Sequence, residues 1–380
     1  MGIETAGGWT VPDDQERIIR TLGQACELCD LIIVTGGLGP TDDDLTRQAV
    51  AAFLDVELEF NKSILDIINA FFQRRGKTMA EKNRSQALFP AGSEVLDNPI
   101  GTAPGFWSRH GDVSIAAVPG VPAEMKLMFR NQIVPRIQLL EKGDVFVSAK
   151  LRCFGAGESD IAQKLGGLMI RGRNPLINCT CGSGDIVLHV IAHAKNKTEA
   201  AEMLEKDMSL VHNVLGGLVY AEGEQSLPAV VGKLLKQHHH TIALAESCTG
   251  GIVSQMITDI PGASDYFLGS WVTYSNDAKI QLGIPEQLII DHGAVSEQVA
   301  SVMAENVARH FGANIGVGIT GIAGPGGGTE EKPVGLVYIG LQIDDTNTVE
   351  KCLFSSKNRQ WIRSVAAMTA LNMVRLRLNI

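Results

Sequence analysis

The chain has 380 residues, 45 % of them hydrophobic, with 33 lysines and arginines against 42 aspartates and glutamates, for a net charge of −9. That length predicts two or three packed domains, and the acidic balance argues against an extended phosphate-neutralising surface, so nucleic acid is not an expected partner. No apolar run is long enough to cross a bilayer and the N-terminus lacks a charged-then-apolar signal layout, which predicts a cytoplasmic protein with no membrane partner. The seven cysteines, an odd number scattered along the chain, fit reduced thiols better than a disulfide framework.

In chain order, residues 14–28 have helical periodicity, and "DLIIVTGGLGPTDDDLTRQAV" continues as a buried strand, a glycine turn and a helix start. Within it, Gly36, Gly37, Gly39 and Thr41 stand where a backbone would approach a phosphate, followed by Asp42, Asp43 and Asp44 at the helix start. Carboxylates beside a phosphate point to a divalent metal between them; acidic residues also favour a helix N-terminus with no ligand at all. Amphipathic stretches at 62–75 and 122–141 flank the strand "VSIAAVPG" (113–120), taking the first domain to about residue 144.

From Val145 to about Gly217 the pattern is strand, helix, strand, strand, helix, a small α+β module. Its "GAGES" and "CGSG" are read as turns, because no basic excess accompanies them. "GLVYAEGEQSLP" (217–228), polar and rich in glycine, is read as the linker to a third domain. There a helix (227–237) precedes the strand "TIALAES", a helix (250–260) stopped by Pro261 and Gly262, and the strand "FLGSWVTYS". A short helix from Asn276, a long one (297–310) capped by Ser296, the strands "NIGVGITG", "VGLVYIGLQI" and "TVEKCLFS", and a last helix from about Asn358 complete it. Strands alternating with helices predict a layered α/β domain on a mixed sheet.

Three strand ends of this domain carry polar loops: Ser247 in "AESCTGG", Tyr274 to Lys279 in "YSNDAK" and Thr320 in "GITGIAGPGGG". Ligands collect outside strand ends in open α/β sheets, so the three loops can share a pocket. An inward stripe of Ile252, Val253, Met256, Ile257 and Ile260 leaves Thr249, Gly250 and Gly251 at a helix N-terminus, whose free N–H groups can hold an anion or a developing oxyanion. Ser247 or Cys248 could attack. No histidine lies in these segments, and Lys279 can be the base: with Asn276 as N-cap it sits in the first helical turn, where the dipole and burial disfavour an ammonium. From spacing alone Lys279 reads rather as an exposed helix residue. Glu246 is read as structural. Gly324 to Gly328 offer backbone amides to a phosphate, and Arg359 offers a positive charge.

Together "AESCTGG", "VTYSNDAK", "HGAVSE", "GITGIAGPGGGTEEKPVG" and "FSSKNR", in order over residues 225–380, resemble the nicotinamide-nucleotide amidase domain of the CinA family. The resemblance implies hydrolysis of the carboxamide of nicotinamide mononucleotide to nicotinate mononucleotide and ammonia, with Ser247 as nucleophile over Cys248, Lys279 as its base, and no metal or cofactor. It places Tyr274, Thr320 and Arg359 on positions associated with catalysis or substrate binding. Thr249, Gly250, Gly251, Asn276, Gly321 and Gly324 complete the expected substrate site.

"NRSQA" (83–87), "NPIGTAPGF" (98–106) and "PGVPAEM" (119–125) resemble the molybdopterin-binding-like domain that opens CinA proteins, a domain associated with ADP-ribose pyrophosphatase activity. Asp43 and Asp44 match that family's aspartate pair and would be the metal ligands. The chain starts at "MGIETAGGWTVPDDQER", after the strand, "GTELL"-like turn and helix with which the family begins; the expectation is a domain lacking its first strand and helix and one wall of the phosphate site.

The expected architecture is thus a molybdopterin-binding-like α/β domain (1–144), a KH-like α+β domain (145–217) and a layered α/β amidase domain (225–380), in a protein that the resemblance makes a homodimer. The alternatives are a metal-dependent ADP-ribose pyrophosphatase in the first domain, or a non-catalytic pterin-binding or competence-linked interaction protein.

Overall fold

Local apolar patterning is realised in two units, one through Gly143 and a second from Asp144, in a computed structural model that describes residues 3–140, 143–182, 184–355 and 358–379. Ser183 of "CGSG" and Ser356 and Lys357 of "FSSKNR" lie outside the described residues. All seven cysteines are free thiols.

The first unit runs α1 (Gln15–Cys26), β1 (Leu31–Thr35), α2 (Thr46–Leu54), β2 (Leu58–Phe60), α3 (Lys62–Gln73), β3 (Leu88–Pro90), β4 (Glu94–Leu96), β5 (Gly105–His110), β6 (Val113–Val118), α4 (Pro122–Met128) and α5 (Val134–Leu140). Its sheet has the order β1-β6-β5-β4, with β1 parallel to β6 and the other pairs antiparallel. Neighbouring residues of one strand enter different cores: Phe106 and Ala117 pack with Val50 and Ile68, while Trp107 and Ala116 pack with Met128 and Ile133. The sheet is therefore covered on both faces, which a strand's period of two requires of near-continuous apolar runs. Asp42, Asp43 and Asp44 precede the helix instead of opening it, because Thr46 folds the glycine turn onto the start of α2: its N–H donates to Gly37 O at 3.1 Å and its Oγ1 to Gly36 O at 2.8 Å.

In the second unit, β7 (Val145–Cys153), α6 (Glu158–Leu165), β8 (Leu176–Gly182), β9 (Asp185–Ala194), α7 (Lys197–Leu215) and β10 (Val219–Glu222) form the small module on an antiparallel sheet of order β10-β7-β9-β8. β10 corrects the reading of residues 217–228 as linker. β7 offers an open edge, Tyr220 buries its ring and donates its hydroxyl to Asp185 at 2.8 Å, and only about residues 223–226 remain as connection.

The rest is α8 (Leu227–Gln237), β11 (Ile242–Glu246), α9 (Ile252–Thr258), β12 (Phe267–Val272), α10 (Asn276–Gln281), α11 (Glu286–His292), α12 (Glu297–Phe311), β13 (Ile315–Gly321), β14 (Leu336–Ile343), β15 (Thr346–Leu353) and α13 (Arg359–Leu378). The sheet is mixed, as expected, with order β12-β11-β13-β14-β15: the first three strands are parallel and the last two antiparallel additions. Leu244 faces a core with α8, α9 and α13, whereas Ala243 and Ala245 face one with α11 and α12. Gly316 and Gly318 are required by the second layer, since a Cβ on either would run into the α12 backbone at Ala304 or Ala300. α13 also joins the two modules of this unit: Phe154 packs in its core and Arg375 donates to Gly217 O at 2.6 Å.

Candidate active site

The three polar strand ends of the C-terminal module do meet. Ser247 follows β11 and anchors its N–H on Ile319 O of β13 at 2.9 Å, while Thr273, after β12, anchors on Glu246 O at 2.8 Å. Parallel neighbours thus release their chains side by side, where the strand-end rule places ligands. The chain turns into α9 through Gly250 (φ +58°) and Gly251 (φ +94°), a left-handed pair that explains the two glycines of "ESCTGG".

Lys279 Nζ lies 3.0 Å from Ser247 Oγ and 2.8 Å from Thr273 O. Lys279 is 2 % exposed, and among the described residues it forms no ion pair. The exposed alternative for this lysine is excluded; burial without a counter-ion pushes its pKa below the ordinary 10.5. An uncharged amine has two donors and one lone pair. With the Thr273 carbonyl taking a donor, the lone pair is available to the serine hydroxyl. The N-cap of α10 is Ser275, whose Oγ accepts from Ala278 N–H, and not Asn276; Lys279 falls in the last turn of this six-residue helix and not in the first, so burial and not the helix dipole lowers its pKa. Burial pushes the Cys248 thiol up to about 11, only partly opposed by Lys279 and Arg363, and the base faces Ser247.

A cavity of about 180 Å³ opens beside this pair, lined by Ser247, Tyr274, Asn276, Lys279, Thr320, Gly321 and Arg359 of the predicted residues, and also by Cys248, Ala294, Val295 and Ala323. Ala294 and Val295 bring in the "HGAVSE" loop, tied down by Thr320 Oγ1 on Ala294 O at 2.7 Å and by Lys332 Nζ on Val295 O at 2.8 Å. At the mouth, exposed Tyr274 and Arg359 join through a 2.8 Å hydrogen bond, and Arg359 also donates to Gly324 O at 2.7 Å. Gly324 therefore orients Arg359 through its carbonyl.

The expected oxyanion donors need correcting. Fully buried Glu246 occupies the start of α9: Oε2 accepts from Gly251 N–H (2.9 Å) and Val253 N–H (3.2 Å), and Oε1 from the N–H (2.9 Å) and hydroxyl (2.6 Å) of Ser254. Gly250 N–H is taken by Ser247 O at 3.1 Å. Neither Gly250 nor Gly251 is left to bind an anion. In this turn the Thr249 and Ile252 N–H groups have no protein acceptor among the described residues, and the Cys248 N–H, next to the serine, faces only its own sulfur; Thr249 itself is fully buried and is not part of the cavity lining. Sequence reasoning did not find Thr273, which acts through its carbonyl, or Arg363, a helix residue whose partners lie far away in the chain.

In the first unit, Gly39, Thr41, Asp42, Asp44, Arg47 and Arg84 are among the residues lining a cavity of about 470 Å³. Gly36 and Gly37 make the turn before α2. Asp44 does not present a free carboxylate: its partial burial pushes its pKa up, but this is outweighed by Oδ2 accepting from the N–H and the hydroxyl of Thr41, by the Gly39 backbone and by neighbouring Arg47, which together hold the pKa down. Asp42 pairs with Lys82, and exposed Asp43 is not part of the lining. Among the described residues no group of three or more His, Cys, Asp or Glu side chains is placed to hold a metal ion. With Asp44 engaged by Thr41 and Asp43 outside the lining, the two aspartates do not face this cavity as a preformed pair of free ligands.

Comparison with known proteins agrees with the three modules. Residues 224–378 match the family described as CinA C-terminal domain, residues 1–139 the probable molybdopterin binding domain, and residues 148–221 the damage-inducible protein CinA KH domain. The chain is 39 % identical over 376 residues to a Clostridium botulinum protein named "Putative competence-damage inducible protein", covering 99 % of this chain and 91 % of the relative. It is 39 % identical to one of the same name from Clostridioides difficile, covering 100 % and 92 %. Among solved structures, the competence/damage inducible protein CihA from Agrobacterium tumefaciens is 36 % identical over 40 % of this chain and 94 % of its own, with a TM-score of 0.39.

Proposed function

The chain belongs to the CinA family, and on that premise we propose that its C-terminal module hydrolyses the carboxamide of nicotinamide mononucleotide to nicotinate mononucleotide and ammonia. The observation that carries this is the 3.0 Å contact between Ser247 Oγ and the buried Lys279 amine. Ser247 passes its proton to Lys279 and attacks the amide carbon; the oxygen that becomes negative is met by the Cys248 and Thr249 N–H groups. Lys279 returns the proton to the departing nitrogen, ammonia leaves, and an ester on Ser247 remains. Water then gives a proton to Lys279 and attacks the ester, and Ser247 leaves with that proton.

About 180 Å³ is small beside typical ligand sites. It suits a planar ring with its carboxamide, while ribose and phosphate extend past Tyr274 and Arg359. Arg359→Ala is expected to raise KM for the mononucleotide about 10- to 100-fold, the worth of a charge-assisted hydrogen bond, with a smaller effect on kcat; steady-state ammonia assays separate the two.

The central test is ammonia release from nicotinamide mononucleotide by the full chain, with and without a chelator. Chelator-insensitive release is expected. A folded chain that releases none refutes the proposal, and chelator-sensitive AMP release from ADP-ribose in its place would move the activity to the N-terminal unit.

A further inference from the structure

Taking the amidase reading of this site as its basis, we propose that Arg363 and Glu246 are positioning residues that set the oxyanion site by fixing the orientation of the peptide planes after Ser247. Arg363, on α13, donates from Nε to Cys248 O at 3.0 Å and from NH2 to Thr249 O at 2.6 Å. Peptide units are planar and trans, so a carbonyl held in one direction points the N–H of the same unit in the opposite direction. Arg363 therefore aims two amides without touching them. Holding Cys248 O directs the Thr249 N–H. Holding Thr249 O directs the Gly250 N–H onto Ser247 O (3.1 Å), and the Ser247 carbonyl, so held, directs the Cys248 N–H.

Glu246 closes the other end of the turn by gathering the N–H groups of Gly251, Val253 and Ser254. A carboxylate from β11 and a guanidinium from α13 thus fix one short turn from both sides. Gly250 is part of the fit: a Cβ there would stand 3.2 Å from Arg363 NH2, at a φ of +58°. Both side chains lie on elements of the folded core, so the donors are oriented before substrate arrives, the condition under which such donors lower a barrier.

The test uses the full chain with Arg363→Gln, Arg363→Lys, Glu246→Gln and the double Gln variant. Each is measured by melting temperature, by kcat and KM for ammonia release, and by the rate at which a fluorophosphonate probe labels Ser247. Arg363→Gln and Glu246→Gln are expected to lower kcat about 10- to 100-fold with KM within about threefold, the scale of a displaced oxyanion donor. Labelling should slow in parallel; melting should stay near the parent's for the Arg363 variants and fall for Glu246→Gln, whose amide nitrogen cannot accept the N–H groups that Glu246 gathers. Arg363→Lys should recover part of the loss, and the double variant should lose less than the product of the single effects, because both act on one turn. Folded single variants that keep kcat and labelling within twofold of the parent overturn the proposal, as does a parent whose serine does not label. If the parent labels but releases no ammonia from nicotinamide mononucleotide, the substrate assignment fails while the labelling rates still decide the positioning role. Should Glu246→Gln not fold, the two Arg363 variants decide it.

Discussion

Ser247→Ala is expected to reduce ammonia release from nicotinamide mononucleotide by roughly 10⁴-fold or more in kcat, with little change in KM, since losing a serine nucleophile removes the covalent route and leaves only binding and oxyanion contacts. Cys248 cannot take over. Its thiol is held protonated with a pKa of about 11, and Lys279 is hydrogen-bonded to the serine. The substitution removes one oxygen at a site whose backbone is held by Ile319, Glu246 and Arg363, so the folded state should persist and melting should be almost unchanged. Single-turnover experiments provide a second readout: the parent is expected to release ammonia in a burst if deacylation is slower than acylation, and Ser247→Ala none. A variant that retains a tenth of the parent's activity would mean that water attacks the amide carbon directly, with the serine a spectator.

What could be read from the chain follows the range of the interactions. The strands of the C-terminal sheet and the Ser296 cap of α12 are local patterns, and the structure has them where periodicity puts them; α9 keeps Ile252, Val253, Met256 and Ile257 of its apolar stripe but ends at Thr258, short of Ile260. β10 was hidden because four residues flanked by glycines have no pattern of their own; they form a strand only when the edge of β7 and the Asp185 carboxylate are available. α11 was missed for a similar reason, since its seven residues carry too little periodicity to stand out. In the site, the motifs identified Ser247 and Lys279, yet spacing could not tell a buried Lys279 from a solvated one. The wall of α10 that faces β11 and the Thr273 carbonyl decides that. Arg363 is beyond sequence reasoning altogether: its partner Cys248 is 115 positions away, and an arginine one turn after Arg359 looks like any solvated helix residue. Glu246, read as structural, is so in a specific sense, as the carboxylate that takes up the helix-start amides which sequence reasoning had offered to the substrate.

Lys279→Met, close to the lysine in shape and without a titrating group, is expected to lower kcat at least about 10³-fold, because a serine without its base must lose its proton to water, a far weaker base than an uncharged amine. The parent's rate should fall on the acid side as the amine takes up a proton, and Lys279→Met should lack that limb. The same depressed pKa makes a prediction about folding that does not depend on the reaction. Between the folded value and the ordinary 10.5, the unfolded chain binds a proton at Lys279 that the folded chain does not. Stability rises with pH wherever the unfolded state holds more protons. The penalty for burying this lysine is therefore fully present below the folded pKa and is relieved as pH climbs toward 10.5. The parent's unfolding free energy should gain on that of Lys279→Met by up to about 1.4 kcal/mol per pH unit in that window, and denaturant titrations of both proteins across the alkaline range measure the difference directly. Other titrating groups are common to both proteins and cancel, apart from the Cys248 thiol, which loses a neighbouring amine in the variant and is distinguished by repeating the pair in a Cys248→Ala background. A difference that stays flat with pH would mean that the buried amine carries its proton in the folded enzyme, and the base would then have to be sought elsewhere.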